Sequence, residues 1–423
     1  MRIRKLISLM VVVAMLISSF VPVWAQNQTY SDILEHWAKD EIDKWSTNGL
    51  LQGSNGQFRP NANLTRAEMA VIVDRLMNYQ IKAENSFTDL NNDWYTDAIL
   101  KNNKAGIIKG SGDYVRPKDY ITRQEAVVML SRALGISEIE GNTSFLDDDS
   151  IASWSKGYIK AFSDKGYING MPDGTFAPDN KITRASVVKI IDNVIGKWIT
   201  VKGTVSETIN GTVIINTPGV TLNDTIINGD LIIAAGVGEG EVTLDATEVT
   251  GQLIIYGGGE NSVKLKGKTK VKGIEIKKEG NGVRIVADKG ITVPEIKVKG
   301  ETKVIIDGEA DFSKLNIKGA KTIEIRTGTK IKELVVEAGT VVIDNSGTVE
   351  IITVDKRADN ITLQGNGETQ NLSVNSKEAN IVVGEDAFVS DVTVNAKDVT
   401  LESTGTIAKV TVGEEGKGSK IEG

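Results

Sequence analysis

The chain has 423 residues, enough for two or three domains. Its net charge of −7 argues against bulk binding to nucleic acid or to an anionic membrane, both of which want a basic face. It has no cysteine and one histidine, His36. That excludes disulfides, thiolate nucleophiles and cysteine-based zinc sites, and leaves a single position on which a histidine-based triad could be built.

The first element is a leader. "MRIRK" is a basic head, "LISLMVVVAMLISSFVPV" an apolar run, and "VWA" before Gln26 suits cleavage after Ala25. Residues 1–25 read as a Sec-type signal peptide, with an uncleaved membrane anchor as the alternative. No second run of spanning length follows, so the expectation is an exported protein with no membrane association once the signal is removed.

Residues 26–200 read as helical and contain all the tryptophans that follow the leader: Trp37, Trp45, Trp94, Trp154 and Trp198. Residues 201–423 contain none, and their only aromatics are Tyr256, Phe312 and Phe388. A shift this sharp marks a boundary near "GKWITVKG", residues 196–203. The helical half repeats itself three times. Each copy opens on an aromatic-x-Asp (Tyr30/Asp32, Phe87/Asp89, Phe145/Asp147), followed by a tryptophan (Trp37, Trp94, Trp154). Then come two glycines four residues apart (Gly49/Gly53, Gly106/Gly110, Gly166/Gly170) and a proline (Pro60, Pro117, Pro178) five residues before a Thr-Arg. The copies are assigned to residues 26–81, 82–139 and 140–200.

Within a copy, Asp32 is placed to accept hydrogen bonds near the first helix N-terminus. That helix is predicted from about Trp37 to Asn48, with Gly49 as a left-handed cap. A second helix starts at Thr65. "TRAE" and "TRQE" are capping boxes, whereas Ser186 leaves the third box incomplete. Ala70, Val71, Val73, Leu76 and Met77 supply its apolar stripe. Arg66, Arg123 and Arg184 stand in the first turn, where the helix dipole disfavours a cation. Two explanations stay open. Each arginine pairs with its own or a neighbouring copy's carboxylate, or it joins the free amides of the helix start in an anion site. The tryptophans are candidates for stacking on sugar rings, although tryptophan at such spacing is more often core.

In order and spacing these motifs resemble three tandem S-layer homology (SLH) domains. The resemblance implies an all-α, pseudo-three-fold helical spindle whose grooves hold a secondary cell-wall polysaccharide, often pyruvylated, recognised in part by the motif arginines. The candidate polymer-binding set is Arg66, Arg123, Arg184, Asp32, Trp37, Asp89, Trp94, Asp147 and Trp154. With Ser186 in its box, Arg184 is expected to matter least.

From residue 219 on, two series of short β runs alternate. One begins "VTL" (220–222), "VTL" (242–244), "VKL" (263–265), "VRI" (283–285), "VII" (304–306); the other begins "LII" (231–233), "LII" (253–255), "IEI" (274–276). The outer two residues of each run should point inward and the middle one outward. In most turns an apolar residue stands three before the second run, such as Val271, Phe312, Ile331, Val349, Val389 and Ile407. The pattern predicts an all-β parallel solenoid of about ten or eleven turns over residues 201–423. Its inward ladder is expected to run through Leu244, Leu265, Ile285 and Ile306. An antiparallel sandwich is the alternative, disfavoured by the scarcity of hairpin turns.

Every turn is short, so none is long enough to wall a cleft. Asp245, Glu324 and Asp355 are scattered and read as a solvated face. "DDD" at 147–149 lacks the spaced ligands of a calcium loop. The expectation is a non-enzymatic surface protein without cofactor or metal, attached to the wall or S-layer of a Gram-positive-type envelope. The solenoid then serves as spacer, lattice element in an array of copies, or display surface. A polysaccharide-active enzyme and an adhesin are the alternatives.

Overall fold

A computed structural model describes residues 30–423, so the leader predicted for residues 1–25 lies outside the described residues. The chain forms two compact units, one ending at Ala62 and one from Asn63 to Gly423. Six α-helices are described: α1 Lys39–Thr47, α2 Arg66–Met77, α3 Thr96–Lys104, α4 Arg123–Ala133, α5 Ser153–Asp164 and α6 Arg184–Val194. None is long and apolar enough to cross a membrane.

The first unit shows how one repeat start is built. Ile42 and Trp45 bury one side of α1, and Gly49 ends it at φ +78°. Tyr30 packs against Phe58, with ring centroids 5.6 Å apart, and its hydroxyl accepts a bond from the Gly53 amide at 2.9 Å. A Cβ at Gly53 would lie 2.5 Å from the Tyr30 ring, so this glycine is needed for close approach. Asp32 does not cap α1, as the sequence suggested. Its carboxylate accepts the amides of Phe58 and Arg59 at 2.9 and 2.7 Å. Arg59 has φ +59°, an unfavourable region for a side-chain-bearing residue. The carboxylate clamps that turn. Burial would raise the Asp32 pKa, but the two amide bonds outweigh it and hold the group below its usual value.

The same clamp recurs in the second unit. Asp89 accepts from Val115 and Arg116, and Asp147 from Phe176 and Ala177, all between 2.7 and 2.9 Å. There the three motif helices are joined at their starts by a closed ring of backbone hydrogen bonds. Leu64 donates to the Ile182 carbonyl, Ile182 to Ile121, and Ile121 back to Leu64, at 3.0, 3.1 and 2.9 Å. Thr65 and Thr122 complete the predicted capping boxes with Glu68 and Glu125, whereas Thr183 caps Ser186 without reciprocation. The buried stripe of α2 includes Met69 and Ile72, while Val71 is only half-buried.

Helix α6 passes without a linker into strand Ile195–Ile199, which pairs in parallel with Thr212–Ile215. From there a parallel β-solenoid of about eleven turns follows. One face is a 13-stranded sheet ending at Thr406–Val412, and a second is a 12-stranded sheet from Gly203–Val205 to Lys420–Glu422. A third, four-stranded face runs from Thr208–Asn210 to Lys270–Val271. Farther on the third and first faces fuse: Asp311–Ile317 pairs with both Thr292–Val293 and Ile296–Val298. The apolar position three before the second run is the inward residue of this merged strand, as at Phe312, Ile331 and Val349.

The inward ladder differs from expectation in register. Leu244 pairs with Leu265, but Leu265 then pairs with Ala287, and Ile285 with Val263. A second slip pairs Ile325 with Asn345. Each slip is two residues, so inward residues stay inward. Asn345 is buried, and its amide bonds the Glu368 carbonyl and the Gly347 amide. Glu324 is not a freely solvated carboxylate, since it lies half-buried between Lys303 and Arg326 at 2.7 Å each.

The rule that middle residues point outward to solvent fails in the first turns. Ile214, Ile232 and Ile254 face outward yet are at most 3% exposed. The helices cover this part of the face, with Gly135 lying against Ile254. Four solenoid side chains donate to carbonyls at the helix C-termini: Trp198 to Leu76 (3.2 Å), Asn216 to Arg75 (3.1 Å), Tyr256 to Arg132 (3.4 Å) and Lys277 to Gly135 (3.5 Å). The last carbonyls of a helix lack internal partners, and here the solenoid supplies them.

Leu265→Asp places an unpaired carboxylate in the dry interior and should lower stability by several kcal/mol, on the order of a broken buried pair. Lys266→Ala, one residue on and exposed, should stay within about 0.5 kcal/mol of the parent. Thermal unfolding followed by circular dichroism separates the two, and an unchanged midpoint for Leu265→Asp contradicts the observed register.

Candidate functional site

The structure places the three arginines in different settings. Arg66 is buried, and its guanidinium crosses to the second copy. Nε donates to the Val115 carbonyl at 3.0 Å, Nη1 to Glu125 at 2.8 Å and Nη2 to the Lys109 carbonyl at 3.3 Å. Burial lowers its pKa while Glu125 opposes that shift. Arg123 crosses to the third copy, with Nε on the Phe176 carbonyl at 2.9 Å and the guanidinium 5.1 Å from the Phe176 ring centroid. Arg184 lies 4.0 Å from Glu68 of the first copy. The carboxylate partners are therefore the third-position glutamates of another copy's box. In the third copy Ser186 stands at that box position, and Arg123 has the Phe176 carbonyl and ring instead.

The helix starts do not offer free amides. Arg66 and Ala67 donate theirs to the carbonyls of Asp119 and Pro117, and Arg123 and Gln124 to those of Asn180 and Pro178. The dipole end is satisfied by the neighbouring copy, and each long side chain carries its charge across to that copy. The amide half of the anion-site reading is removed for these two helices.

The motif tryptophans are not core. Trp37, Trp94 and Trp154 are 62%, 66% and 48% exposed, while the buried tryptophan is Trp45. Asp32, Asp89 and Asp147 spend their oxygens on the turn clamps. The neighbouring acidic run behaves likewise. Asp148 accepts from Thr143 at 2.7 Å and Lys156 at 2.8 Å. The Lys156 and Thr143 bonds hold its pKa down to about 2.

Of the nine candidate residues, Arg66 and Trp154 line one groove of about 320 Å³. Its other polar walls are Lys109, Arg116, Glu125 and Arg132, which the sequence reading did not single out. Arg116 Nη2 lies 3.5 Å from Glu125, so this carboxylate bridges two guanidiniums. Four cations and one carboxylate line this groove in a chain that is acidic overall. The signal in the sequence was the "VRP" arginine, at the clamped position where the third copy has "FAP". An exposed indole beside such a charge set can stack on a ring and pair an anion.

Arg66→Ala strips a buried ion pair and two carbonyl contacts, and should cost about 3–5 kcal/mol in denaturant unfolding. Arg123→Ala loses a cation–π contact and one bond, and should cost about 1–2 kcal/mol; equal losses would contradict the asymmetry. The Asp148 carboxylate has a depressed pKa, so its stabilisation is full above the unfolded value of 3.8 and is lost as pH falls through about 2. Asp148→Asn should flatten that part of the acid-unfolding profile.

The S-layer homology domain family model matches residues 29–70, 86–127 and 144–188. The chain is 38% identical over 183 residues to Exoglucanase XynX of Acetivibrio thermocellus, covering 41% of this chain and 17% of that protein. It is 36% identical over 179 residues to Amylopullulanase of Thermoanaerobacterium thermosulfurigenes, covering 40% and 10%. It is 30% identical over 195 residues to S-layer protein sap of Bacillus anthracis, covering 44% and 24%. The matched part thus spans no more than about a quarter of these relatives' length. The chain is a cell-surface protein that carries three S-layer homology domains followed by a parallel β-solenoid.

Proposed function

We propose that the SLH domains hold this protein non-covalently on an acidic secondary cell-wall polysaccharide, and that the solenoid is a non-enzymatic spacer or display surface. The observation that carries the reading is the groove in which Trp154 stands exposed beside Lys109, Arg116 and Arg132. A carboxylate-bearing sugar, such as a pyruvyl ketal, would meet a planar guanidinium on its charged edge and an indole on its apolar face. Arg66 holds the groove's wall and neutralises Glu125. Glycoside hydrolysis uses two carboxyl groups flanking the bond. This groove has one, and it is committed to two arginines.

The relatives named as an exoglucanase, an amylopullulanase and an S-layer protein have different names yet share this same part. That supports an anchoring role independent of the attached domain. An envelope of Gram-positive type, with the leader cleaved after Ala25, completes the reading. Membership of a surface array is a second possibility, supported by the relatives named S-layer proteins.

The chain from residue 26 onward should sediment with purified wall sacculi and remain in solution once their secondary polymer is stripped. Arg116→Gln, Lys109→Gln and Trp154→Ala alter exposed side chains, so the fold should survive. Loss of a charge-assisted contact, worth about 1.5–3 kcal/mol, should weaken binding roughly ten- to a hundredfold for each cation. Equal sedimentation with stripped sacculi sinks the reading.

A further inference from the structure

The groove at Trp154 does not end at the SLH domains. Lys109 and Arg132 also line a larger cleft of about 810 Å³, which opens between the helices and the solenoid. The expectation that nothing could wall a cleft considered only solenoid loops; here the docked helices form the opposite wall. The helical side contributes Lys104, Lys109 and Arg132, and the solenoid side Lys277, Lys278 and Lys299. Two carboxylates, Glu239 and Glu279, stand against them. Glu239 is already paired with Lys278 at 2.8 Å. Lys104 and Lys109 are exposed and have no ion pair among the described residues.

Aromatic faces line the same space. Arg132 lies over Tyr158 at 5.5 Å and Lys277 over Tyr256 at 5.9 Å. Tyr79 lines it too, and its buried hydroxyl has no hydrogen-bond partner among the described residues. The volume falls within the roughly 300–1,000 Å³ typical of ligand sites.

We propose that this cleft is a second binding site for an acidic oligosaccharide, continuous with the SLH groove, in which the solenoid itself contacts the wall polymer. The proposal rests on the polysaccharide reading above. One strand of polymer leaving the Trp154 groove would pass Lys109 and Arg132 and enter the cleft, where Lys104 and Lys299 reach its charged substituents from opposite walls. Linking two sites along one polymer raises affinity through effective concentration without either site being tight.

The test is calorimetric titration of the chain from residue 26 onward with oligosaccharides released from purified wall polymer. They are divided into a short fraction sized to the groove and a long fraction able to span both sites. The parent should bind the long fraction more tightly. Lys104→Gln with Lys299→Gln should reduce long-fraction affinity by about a hundredfold, roughly tenfold per lysine, and leave short-fraction affinity unchanged. Glu275 keeps Lys277 as a partner at 2.9 Å in that variant, so the fold should survive. If the double variant binds the long fraction like the parent, the cleft is overturned and the groove stands. If Arg116→Gln leaves short-fraction binding intact, or the parent binds neither fraction, the polysaccharide reading falls and the cleft proposal with it.

Discussion

Three hydrogen bonds among Leu64, Ile121 and Ile182 close a ring on which the arrangement of the second unit depends. A repeat of this size has too little interior to be stable alone. The ring solves this by tying the starts of α2, α4 and α6 together just before their caps. Once they are tied, the starts of α2 and α4 lie against the loop of another copy. Loop carbonyls then take the amides of the first turns of α2 and α4, and arginine side chains reach across to glutamates of other capping boxes. An arginine at the positive end of a helix is unfavourable only if its charge stays there. In this structure the charge is delivered one copy away.

The other ends of the same helices meet the solenoid. Carbonyls at the ends of α2 and α4 receive donors from its first turns, and α6 becomes its first strand. The outward isoleucines beneath them are dry. The junction is therefore built like an interior rather than like a tether. A pocket between helices and solenoid can keep a defined shape only under that condition, since a flexible linker would let its walls drift apart.

Much of this was legible. Capping boxes, left-handed glycines and repeat spacing report local chemistry, and the inward positions of the solenoid report a period of two. What failed in the reading depended on contacts between distant segments. The aspartates looked like helix caps because a carboxylate near a helix start often is one, yet Asp32, Asp89 and Asp147 were claimed by turns about 26 residues downstream. The two-residue slips at Ala287 and Asn345 preserve the inward pattern, so the pattern could not reveal them. The docking face did leave a trace. Middle residues are isoleucine at 214, 232 and 254, where the helices cover the sheet, then Glu275 and Lys297.

The three copies also carry an internal comparison. Where the second copy has Arg116 and Glu125, the third has Ala177 and Ser186. In the second copy these two side chains face each other at 3.5 Å, with Arg66 on the same carboxylate. Losing only the glutamate would leave two guanidiniums repelling each other beside a buried wall. Losing only the outer arginine would leave the carboxylate with one partner and a less cationic groove. Removing both avoids an unpaired charge, whose burial is costly. What remains is Arg123 stacked on Phe176, and the clamp by Asp147 is untouched because it uses the backbone of Ala177 rather than its side chain. The scaffold and the charge set are thus separable within one repeat. The turn geometry is kept in all three copies, while the groove chemistry varies from copy to copy.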